Sequence, residues 1–310
     1  MSTFVSIGNG TQSFARLLDQ VKAIADRLPQ PVIVQHGWTP FASDTIEHFD
    51  FTDEAGFQAR LAACTLFITH GGGGSVFAAI RAGKKPVVIP RLKRFDEIVD
   101  DHQLAFCAEL ERQERIVYVR DTADLLAGVA IQQANPALPP ETGDNQRAVA
   151  AVTEAVAAFA PNNGDAILLV APSGGHLAEI RALAPAYRGH PHHFVINTPI
   201  AQPLDMVGRT SLLTLSQRDW KFIINIDEAW RILRRERPKV ILTTGGSISV
   251  PFAIIGRLLG IPTVYVETVA KVVIPTVTGR IQYRVAARFL YQWTYLASHF
   301  PRGDYIGLIL

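Results

Sequence analysis

The chain has 310 residues, enough for about two domains at the usual one per 100–200 residues. Its 48% apolar and 19% charged residues exclude a disordered or collagen-like chain. The net charge of +2 hides an asymmetry, because residues 1–164 hold 14 Lys and Arg against 19 Asp and Glu, whereas residues 165–310 hold 16 against 9. The basic half suits nucleic acid, anionic lipid or an anionic substrate.

Strand-like apolar runs alternate with helical periodicity in the first half, which favours a parallel sheet built of βαβ units. Strands are predicted at residues 4–7, 32–35, 66–69, 86–89 and 116–119. Helices are predicted at residues 14–28, 57–63, 75–82, 101–112 and 123–131. The proline-rich polar stretch at 132–145 ends a predicted first domain over residues 1–145.

An alanine-rich helix is predicted at 147–158, with a second break at 161–165, so residues 146–164 are interpreted as a linker helix. The alternation then restarts in a predicted second domain, 165–310. Its strands are predicted at residues 167–170, 193–196, 240–242 and 263–266, and its helices near 177–183, 227–235, 251–258 and 279–287. We therefore expect an α/β protein with two Rossmann-like domains facing a cleft.

Residues 240–256 carry no charge, and their length is near the lower bound for a membrane-spanning helix. The stretch contains TTGGSIS and a proline, Pro251. These residues favour a buried strand and helix around a glycine turn, so no transmembrane helix is predicted.

Four glycine-bearing turns follow predicted strands, at residues 7–11, 70–75, 173–176 and 243–247. At such a place the carboxyl end of a strand meets a helix N-terminus, and free backbone N–H groups can donate to phosphate oxygens. A single turn of this kind often serves tight packing alone. Four turns across two domains indicate an interdomain site for a phosphorylated ligand.

Several better-known sites are excluded. None of the turns matches a dinucleotide GxGxxG or a GxxxxGK[ST] loop, and the HGGG beside His70 has no accompanying GxSxG nucleophile motif. The chain has no D-x-D pair, no zinc-like histidine spacing and no cysteine pair, so neither a metal nor another cofactor is expected. Helix dipoles and basic side chains would have to neutralise a diphosphate.

At these residues the sequence resembles a known pair of proteins. Residues 3–120 resemble the catalytic subunit of the eukaryotic transferase that adds the second GlcNAc to dolichol-linked N-glycan precursors. The matching segments are FVSIGNGTQSFARLL (4–18), IVQHG (33–37), FITHGGGGSV (67–76), RAGKKPVVIPR (81–91) and DDHQ (100–103). Residues 166–310 resemble that enzyme's membrane-recruiting partner, through APSGGHLAEI (171–180), RPKVILTTGG (237–246), VYVETVAKV (264–272), TGRIQYRVAARFLYQW (278–293) and PRGDYIG (301–307).

The resemblance implies a GT-B fold, with a nucleotide-sugar donor domain first and an acceptor-binding, membrane-associating domain second, and inversion at the transferred sugar. Bacterial exopolysaccharide clusters carry the same pair as separate or fused proteins. Those most similar to this chain, including the loop RLKRFDEIVDDHQ, transfer glucuronate from UDP-glucuronate to a glucosyl-diphosphate-polyprenol. The chain is thus interpreted as a fused bacterial enzyme of this type, peripheral on the cytoplasmic face of the inner membrane.

Two differences from the family's sequence pattern limit what the resemblance implies. The family usually has a ribose-binding Glu after the glycine-rich turn, whereas this chain has Ala78, so ribose recognition is expected at Glu97 or Asp101. The partner subunit usually starts with a membrane-spanning helix. None is predicted before Ala166, which implies peripheral attachment.

The donor site is expected on the first domain, with the glycine turns around the UDP diphosphate and His102 and Gln103 near the donor sugar and phosphates. A glucuronate carboxylate would meet Arg91, Lys93 or Arg94, unless these three only offset the acidic run beside them. The predicted donor-binding residues are Gly8, Asn9, Gly10, Thr11, His70, Gly72, Gly73, Gly74, Ser75, Arg91, Lys93, Arg94, Glu97, Asp101, His102 and Gln103.

The acceptor site is expected on the second domain. A general base must deprotonate the acceptor hydroxyl, and both His176 and Glu267 are candidates. The predicted acceptor-binding residues are Ser173, Gly174, Gly175, Gly245, Gly246 and Ser247.

A membrane surface is predicted from Arg280, Arg284 and Arg288, interpreted as one helix face, with Trp293 nearby. A solvated helix face is the alternative.

Two other functions stay open: a UDP-GlcNAc transferase on the same scaffold, and a non-catalytic nucleotide-sugar-binding protein. Product formation separates the second from both enzymes. Nucleic acid is not an expected partner, because the aromatic residues form no recognisable RNA-binding motif.

Overall fold

The computed structural model of the chain divides into two compact units, Met1–Pro140 and Glu141–Leu310. It describes residues 2–139, 144–159, 165–197, 210–213 and 222–309. Each unit is built on a parallel β-sheet with helices between the strands, so the predicted α/β class with two Rossmann-like sheets is confirmed.

The first sheet has its switch point at the central strand. Its strands are β1 (Thr3–Ser6), β2 (Val32–Gln35), β3 (Glu47–Phe49), β4 (Leu66–His70), β5 (Val87–Ile89) and β6 (Val117–Tyr118), in the order β3-β2-β1-β4-β5-β6. Val5 of β1 pairs with Val34 on one side and Ile68 on the other, in parallel register. The chain moves outward in opposite directions from β1, and ligands of open α/β sheets bind at such a point.

Helices cover this sheet and bury its apolar strands. They are α1 (Ala15–Ala23), α2 (Glu54–Ala63), α3 (Gly73–Arg81), α4 (His102–Arg112) and α5 (Leu125–Ala134). Leu17, Leu18 and Val21 of α1 pack with Val5 and Val34 in one core cluster. Phe4 and Phe67, which alternate with these along the strands, lie in a second cluster. Burial on both faces explains why apolar residues are consecutive in these strands, Phe4 and Val5 in β1 and 66–68 in β4.

The second sheet follows the same plan. Its strands are β7 (Ile167–Val170), β8 (His192–Ile196), β9 (Thr210–Leu212), β10 (Val240–Thr243), β11 (Thr263–Val266), β12 (Arg288–Tyr291) and β13 (Asp304–Tyr305), in the order β13-β12-β11-β10-β7-β8-β9. The strand order reverses between β7 and β10, which pair in parallel. This switch point brings the turns after β7 and β10 to one edge of the sheet.

The helices of the second unit are α6 (Asp144–Ala157), α7 (Gly175–Ala182), α8 (Phe222–Glu236), α9 (Ser249–Leu258) and α10 (Val277–Val285). Ala148 and Val152 of α6 pack with Ile167 and Leu169, whereas Leu168 and Val170 face Phe252 of α9 on the other side of the sheet. The helix interpreted as a linker is therefore part of the core of the second unit, and the division between the units falls before it.

The uncharged stretch at 240–256 forms β10, a glycine turn and α9, as predicted. Pro251 lies in the first turn of α9, where a missing N–H costs little. Within the described ranges, none of the helices combines the length and the apolarity that crossing a membrane requires.

Four short strands, β3, β9, β12 and β13, are not predicted from the sequence. β3 is exposed and polar, and β13 has two residues, so neither gives an apolar run. β12 has the sequence RFLY and was interpreted as part of a helical face, although α10 ends at Val285. Arg288 therefore lies on a strand and is not on one helix face with Arg280 and Arg284, which corrects the predicted arrangement.

Candidate functional site

The two glycine turns of the first unit meet at the side chain of His70. A Cβ atom added to Gly72 would lie 2.1 Å from His70 Nε2, and one added to Gly8 would lie 2.5 Å from His70 Cε1. A side chain at either position would therefore force the imidazole or the turn to shift, because the imidazole packs against both turns. The residues that follow, Asn9, Gly10 and Thr11, are exposed to solvent.

Burial, together with the smaller effect of the nearby Arg91 guanidinium, lowers the pKa of His70 to about 3. The ring therefore stays neutral at physiological pH. His70 acts here as an uncharged spacer between two backbone turns and leaves the field of the backbone amides unchanged.

Backbone donors are available beside this ring. Helix α3 begins after Gly72, which has no side chain to cap the helix, and its first residues are half-exposed. The first intrahelical bond recorded at this end runs from Val76 N to Gly72 O, at 3.1 Å. The N–H groups of Gly73, Gly74 and Ser75 thus have the geometry of an anion-binding helix N-terminus.

The structure corrects the prediction that Arg91 meets a substrate carboxylate. Arg91 is buried, and its guanidinium donates to the carbonyls of Ile7 (3.0 Å), Gln12 (2.7 Å) and Glu97 (3.2 Å). Its backbone N–H donates to Gln103 Oε1 at 2.8 Å. Arg91 therefore holds the turn after β1 in place and has no exposed group for a ligand.

The expected ribose contact at Glu97 is wrong for a similar reason. Glu97 is buried, and Arg16 donates to both of its carboxylate oxygens, at 2.9 and 3.1 Å. Leu92 N donates to the same carboxylate at 2.9 Å. Asp101 is exposed, and one of its oxygens accepts from Lys93 N at 2.8 Å.

The remaining predicted donor residues differ in exposure. Lys93 and Arg94 lie in an exposed 3₁₀ turn, with Arg94 over the ring of Phe95. Gln103 is buried against Gly71 and holds the Arg91 backbone. His102, at the start of α4, is oriented by Asp100, whose carboxylate lies 2.5 Å from His102 Nδ1.

An exposed aromatic pair lies at the same edge of the sheet and was not predicted. Trp38 follows β2, Phe51 follows β3, and their rings make an edge contact at 5.2 Å. Trp38 is 62% exposed, although aromatic rings usually bury most of their surface. A Cβ on Gly37, beside Trp38, would lie 2.8 Å from the carbonyl oxygen of Gly8, so this pair adjoins the first glycine turn. Only the position of these rings after strands signals them in the sequence.

Ala78, which replaces the expected ribose-binding Glu, is buried in the second core cluster of the first unit, beside Phe4 and Leu61.

In the second unit, the turns after β7 and β10 meet at His176. His176 Nδ1 lies 2.9 Å from the carbonyl oxygen of Thr244, and Thr244 Oγ1 donates to the His176 carbonyl at the same distance. A carbonyl can only accept, so Nδ1 carries the hydrogen and Nε2 carries the lone pair of the neutral ring. His176 is half-exposed.

The glycines of these turns adopt conformations that other residues disfavour. Gly174, Gly245 and Gly246 have φ angles of +98°, +107° and +80°. A Cβ on Gly245 would lie 3.5 Å from His176 Cε1 and 3.0 Å from the Tyr265 hydroxyl. The predicted acceptor residues Ser173, Gly174, Gly175, Gly246 and Ser247 lie at this same edge and are all at least partly exposed.

Glu267 is on the other side of Gly245 and is fully buried. Its carboxylate accepts from the Tyr265 hydroxyl at 3.3 Å and from Thr276 N at 3.4 Å, and it packs against Gly279. Burial raises its pKa to about 7, against the opposing effect of these hydrogen bonds. The carboxyl of Glu267 is therefore enclosed and does not face solvent, whereas His176 is half-exposed.

A second buried carboxyl lies close by. Glu179 on α7 accepts from Thr268 Oγ1 (2.6 Å), Val269 N (3.3 Å) and Gln292 Nε2 (3.1 Å). Burial raises its pKa to about 8 despite these donors, and the charge of Glu267 adds to the increase. These contacts fix the segment that leaves β11.

The predicted membrane role of Trp293 is also corrected. Its ring is buried, and its indole N–H donates to the Val269 carbonyl at 2.7 Å. Arg288 pairs with Asp304 at 3.0 Å, whereas Arg280 and Arg284 are exposed on α10. Among the described residues, no cluster of three or more His, Cys, Asp and Glu side chains could hold a metal ion.

Comparison with known proteins gives two separate family matches along the chain. Residues 4–147 match the family model described as glycosyltransferase family 28 C-terminal domain, and residues 207–309 match the one described as oligosaccharide biosynthesis protein Alg14 like. The predicted GT-B fold class agrees with the two parallel sheets and with the family 28 match.

Individual relatives and solved structures are also similar to the chain. The Homo sapiens protein named UDP-N-acetylglucosamine transferase subunit ALG14 is 27% identical over 186 residues, which cover 48% of this chain and 85% of that protein. The Yarrowia lipolytica protein named UDP-N-acetylglucosamine transferase subunit ALG13 is 35% identical over 78 residues, 25% of this chain and 37% of that protein. The solved structure of a UDP-GlcNAc 2-epimerase from Methanocaldococcus jannaschii is 11% identical, with a TM-score of 0.24, and covers 86% of this chain and 83% of that one.

These matches define a class. The chain resembles the eukaryotic two-subunit UDP-N-acetylglucosamine transferase, with the glycosyltransferase family 28 match in its first half and the Alg14-like match in its second half.

Proposed function

We propose that this chain transfers a sugar from a UDP-sugar to a sugar linked to a polyprenyl diphosphate, with inversion at the transferred sugar and without a metal ion. The first unit binds the donor and the second unit binds the acceptor. The exopolysaccharide repeat unit is the proposed product, made at the cytoplasmic face of the inner membrane by a peripherally attached enzyme.

The observation that carries the proposal is the double glycine turn around His70. Gly8 and Gly72 are both too close to the imidazole to tolerate a side chain, and the backbone amides that open α3 lie beside them. With a neutral ring between the two turns, the backbone N–H groups are the donors that a diphosphate would meet there. Negative charge grows on the UDP diphosphate as the sugar leaves, and preorganised amides stabilise it most at that moment.

The aromatic pair supports a nucleotide as the diphosphate's carrier. Trp38 and Phe51 adjoin the Gly8 turn and expose ring surface at the edge where the ligand would lie. Stacking of a nucleobase on exposed aromatic rings is worth about 1–3 kcal/mol per base. Uridine is therefore proposed to lie toward Trp38, with the diphosphate toward His70.

His176 is proposed to remove the proton from the acceptor hydroxyl. Its Nδ1–H is fixed on the Thr244 carbonyl, so Nε2 is the ring atom that takes the proton from the acceptor hydroxyl. Glu267 shapes the turn beside it through Tyr265 and Thr276 and is a positioning residue in this proposal.

Glucuronate is the proposed donor sugar. Lys93 and Arg94 are exposed cations beside the donor edge, and a carboxylate on the sugar would pair with them. UDP-GlcNAc is the second candidate, favoured by the similarity to proteins named as UDP-N-acetylglucosamine transferase subunits.

The test is transfer of radiolabelled sugar from UDP-glucuronate, UDP-GlcNAc or UDP-glucose to a glucosyl-diphosphate-lipid, in buffer with EDTA. Label in the lipid fraction from UDP-glucuronate alone, lowered by Lys93→Gln and Arg94→Gln, is the expected result. Label from UDP-GlcNAc alone would show that GlcNAc is the transferred sugar, and the proposed type of reaction would stand. UDP binding without any labelled lipid product would contradict the proposed enzymatic activity and indicate a nucleotide-sugar-binding protein.

A further inference from the structure

Helix α10 is buried through a glycine and a polar side chain. The residues of this helix that are buried are Gly279 and Gln282, which are three positions apart and therefore neighbours on one face. Gly279 packs against the carboxyl of Glu267. Gln282 is fully buried against α9, where its Nε2 donates to the carbonyl of Ser249 at 3.3 Å and to Ser249 Oγ at 3.2 Å. The packed face of α10 thus makes polar contacts, where helices usually bury aliphatic side chains.

The amide of Gln282 is satisfied on one side only. Its Oε1 is buried and accepts no hydrogen bond from the described residues. The reverse orientation of the amide would not correct this, because the carbonyl of Ser249 has no hydrogen to give and Ser249 Oγ already donates to the carbonyl of Gly246. A buried acceptor without a donor lowers stability, and such groups are rare in folded proteins. A glutamine kept at this cost is best explained by a role for its two N–H groups.

Ser249, the first residue of α9, links Gln282 to the glycine turn after β10. Its Oγ donates to the carbonyl of Gly246 at 2.8 Å, and its N–H donates to the same oxygen at 3.1 Å. At the other end of the turn, Gly245 N donates to Thr243 Oγ1 at 3.0 Å. The backbone between these two anchors is thus fixed from both ends.

The backbone held in this way includes the carbonyl of Thr244, which lies 2.9 Å from His176 Nδ1. A carbonyl only accepts, so this contact keeps the hydrogen of the neutral ring on Nδ1 and the lone pair on Nε2. The contacts therefore run from Gln282 and Ser249 through the turn to the carbonyl that orients His176. A movement of that carbonyl would turn the imidazole.

We propose that Gln282 is a positioning residue for His176, acting through Ser249 and the glycine turn after β10. It is enclosed and contacts neither donor nor acceptor, and it keeps the imidazole in the orientation in which Nε2 meets the acceptor hydroxyl. The proposal rests on the proposed function for the reaction that His176 serves.

The test is Gln282→Met, which keeps the length of the side chain and removes its amide. Ser249 keeps both of its bonds to Gly246, and the unsatisfied oxygen is gone, so the urea midpoint should stay the same or rise. Turnover in the transfer assay should fall about tenfold with the KM for the UDP-sugar unchanged, because a misplaced base slows the chemical step. A merely structural glutamine would give the opposite result, a lower urea midpoint with unchanged turnover.

The nitrogen NMR signals of the His176 ring give a readout that does not depend on sugar transfer. We expect the unaltered chain to show the tautomer with the hydrogen on Nδ1, and Gln282→Met to show a mixture of both tautomers. His176→Gln identifies the signals by their loss. Ser249→Ala interrupts the same chain of contacts one step later and should have the same two effects. The double variant should be no slower than the slower of the two single variants, since the two residues act as one unit.

A matched control comes from the first unit, where Gln132 is also a buried glutamine. Gln132→Met should leave both the turnover and the His176 signals unchanged. Absence of sugar transfer in the unaltered chain would contradict the proposed function, and the His176 signals would still decide the role of Gln282. Unchanged His176 signals in Gln282→Met, or a turnover equal to that of an active unaltered chain, would overturn the positioning role.

Discussion

Arg91 shows how a charged side chain can serve the backbone. Its guanidinium donates to the carbonyls of Ile7, Gln12 and Ser13 around the turn after β1 and to that of Glu97. The ring of Phe14 lies under it at 4.8 Å. Hydrogen bonds from a charged donor to buried carbonyls are strong, and their loss leaves unsatisfied acceptors.

We therefore expect Arg91→Met to lower the free energy of unfolding by about 2–4 kcal/mol. Arg94→Met, at an exposed position three residues on, should change it by no more than about 0.5 kcal/mol. Urea denaturation of both variants measures the difference. Equal stability of the two would show that the carbonyl contacts contribute little.

Glu179 gives a pH dependence with a definite sign. Its pKa rises from 4.5 to about 8 in the folded chain because it is buried. Between these values the folded state keeps a proton that the unfolded state has released, so its contribution to stability is full below pH 4.5 and is lost as the pH rises to about 8.

Glu179→Gln should remove that slope, which is at most about 1.4 kcal/mol per pH unit. The free energy of unfolding of this variant, relative to the unaltered chain, should therefore rise with pH across the window. Denaturation at several pH values provides the measurement, with Glu154→Gln on the exposed side of α6 as a control. Parallel pH profiles for Glu179→Gln and the unaltered chain would contradict the buried, protonated state.

Donor binding is proposed to depend on the glycine turn before α3. Gly72→Ala places a methyl group against His70, so either the ring or the row of backbone amides must move. We expect the Kd for UDP to rise about tenfold or more, since a charge-assisted hydrogen bond is worth about 1.5–3 kcal/mol. Calorimetry measures this, with Gly189→Ala, where no atom lies within 4 Å of the added Cβ, as the control. Unchanged UDP affinity would contradict the proposed contact between the N-terminus of α3 and the diphosphate.

Among the secondary-structure elements, the sequence predicts the buried strands well and misses short strands near the edges of the sheets. Strands such as β2, β7 and β11 are found at the predicted residues because both their faces are buried, which gives unbroken apolar runs. The strand β12 was missed since RFLY has the same composition as an amphipathic helix face, and only its pairing with β11 decides the matter.

The candidate site residues are likewise predictable from the sequence only in part. The turns after strands are predictable, because glycine is required by φ angles and close contacts that recur in such folds. The burial of Arg91 and Glu97 was not predictable, because their partners are a carbonyl and an arginine far away in the sequence. A charged residue after a strand has the same local signature whether it faces a ligand or the turn that holds the ligand.

At the scale of the whole molecule, the chain joins two parallel sheets, each with its glycine turns at a switch point. The proposed division of labour gives UDP to the first unit and the acceptor and its base to the second. This division predicts that the two functions can be lost separately.

The most direct test is a joint measurement of UDP affinity and sugar transfer for the His176→Ala chain. The account predicts an unchanged Kd for UDP and a turnover lower by about 10²–10⁴, the usual contribution of a general base. Turnover close to that of the unaltered chain would contradict the assignment of His176. Loss of UDP affinity together with turnover would contradict the division of donor and acceptor between the two units.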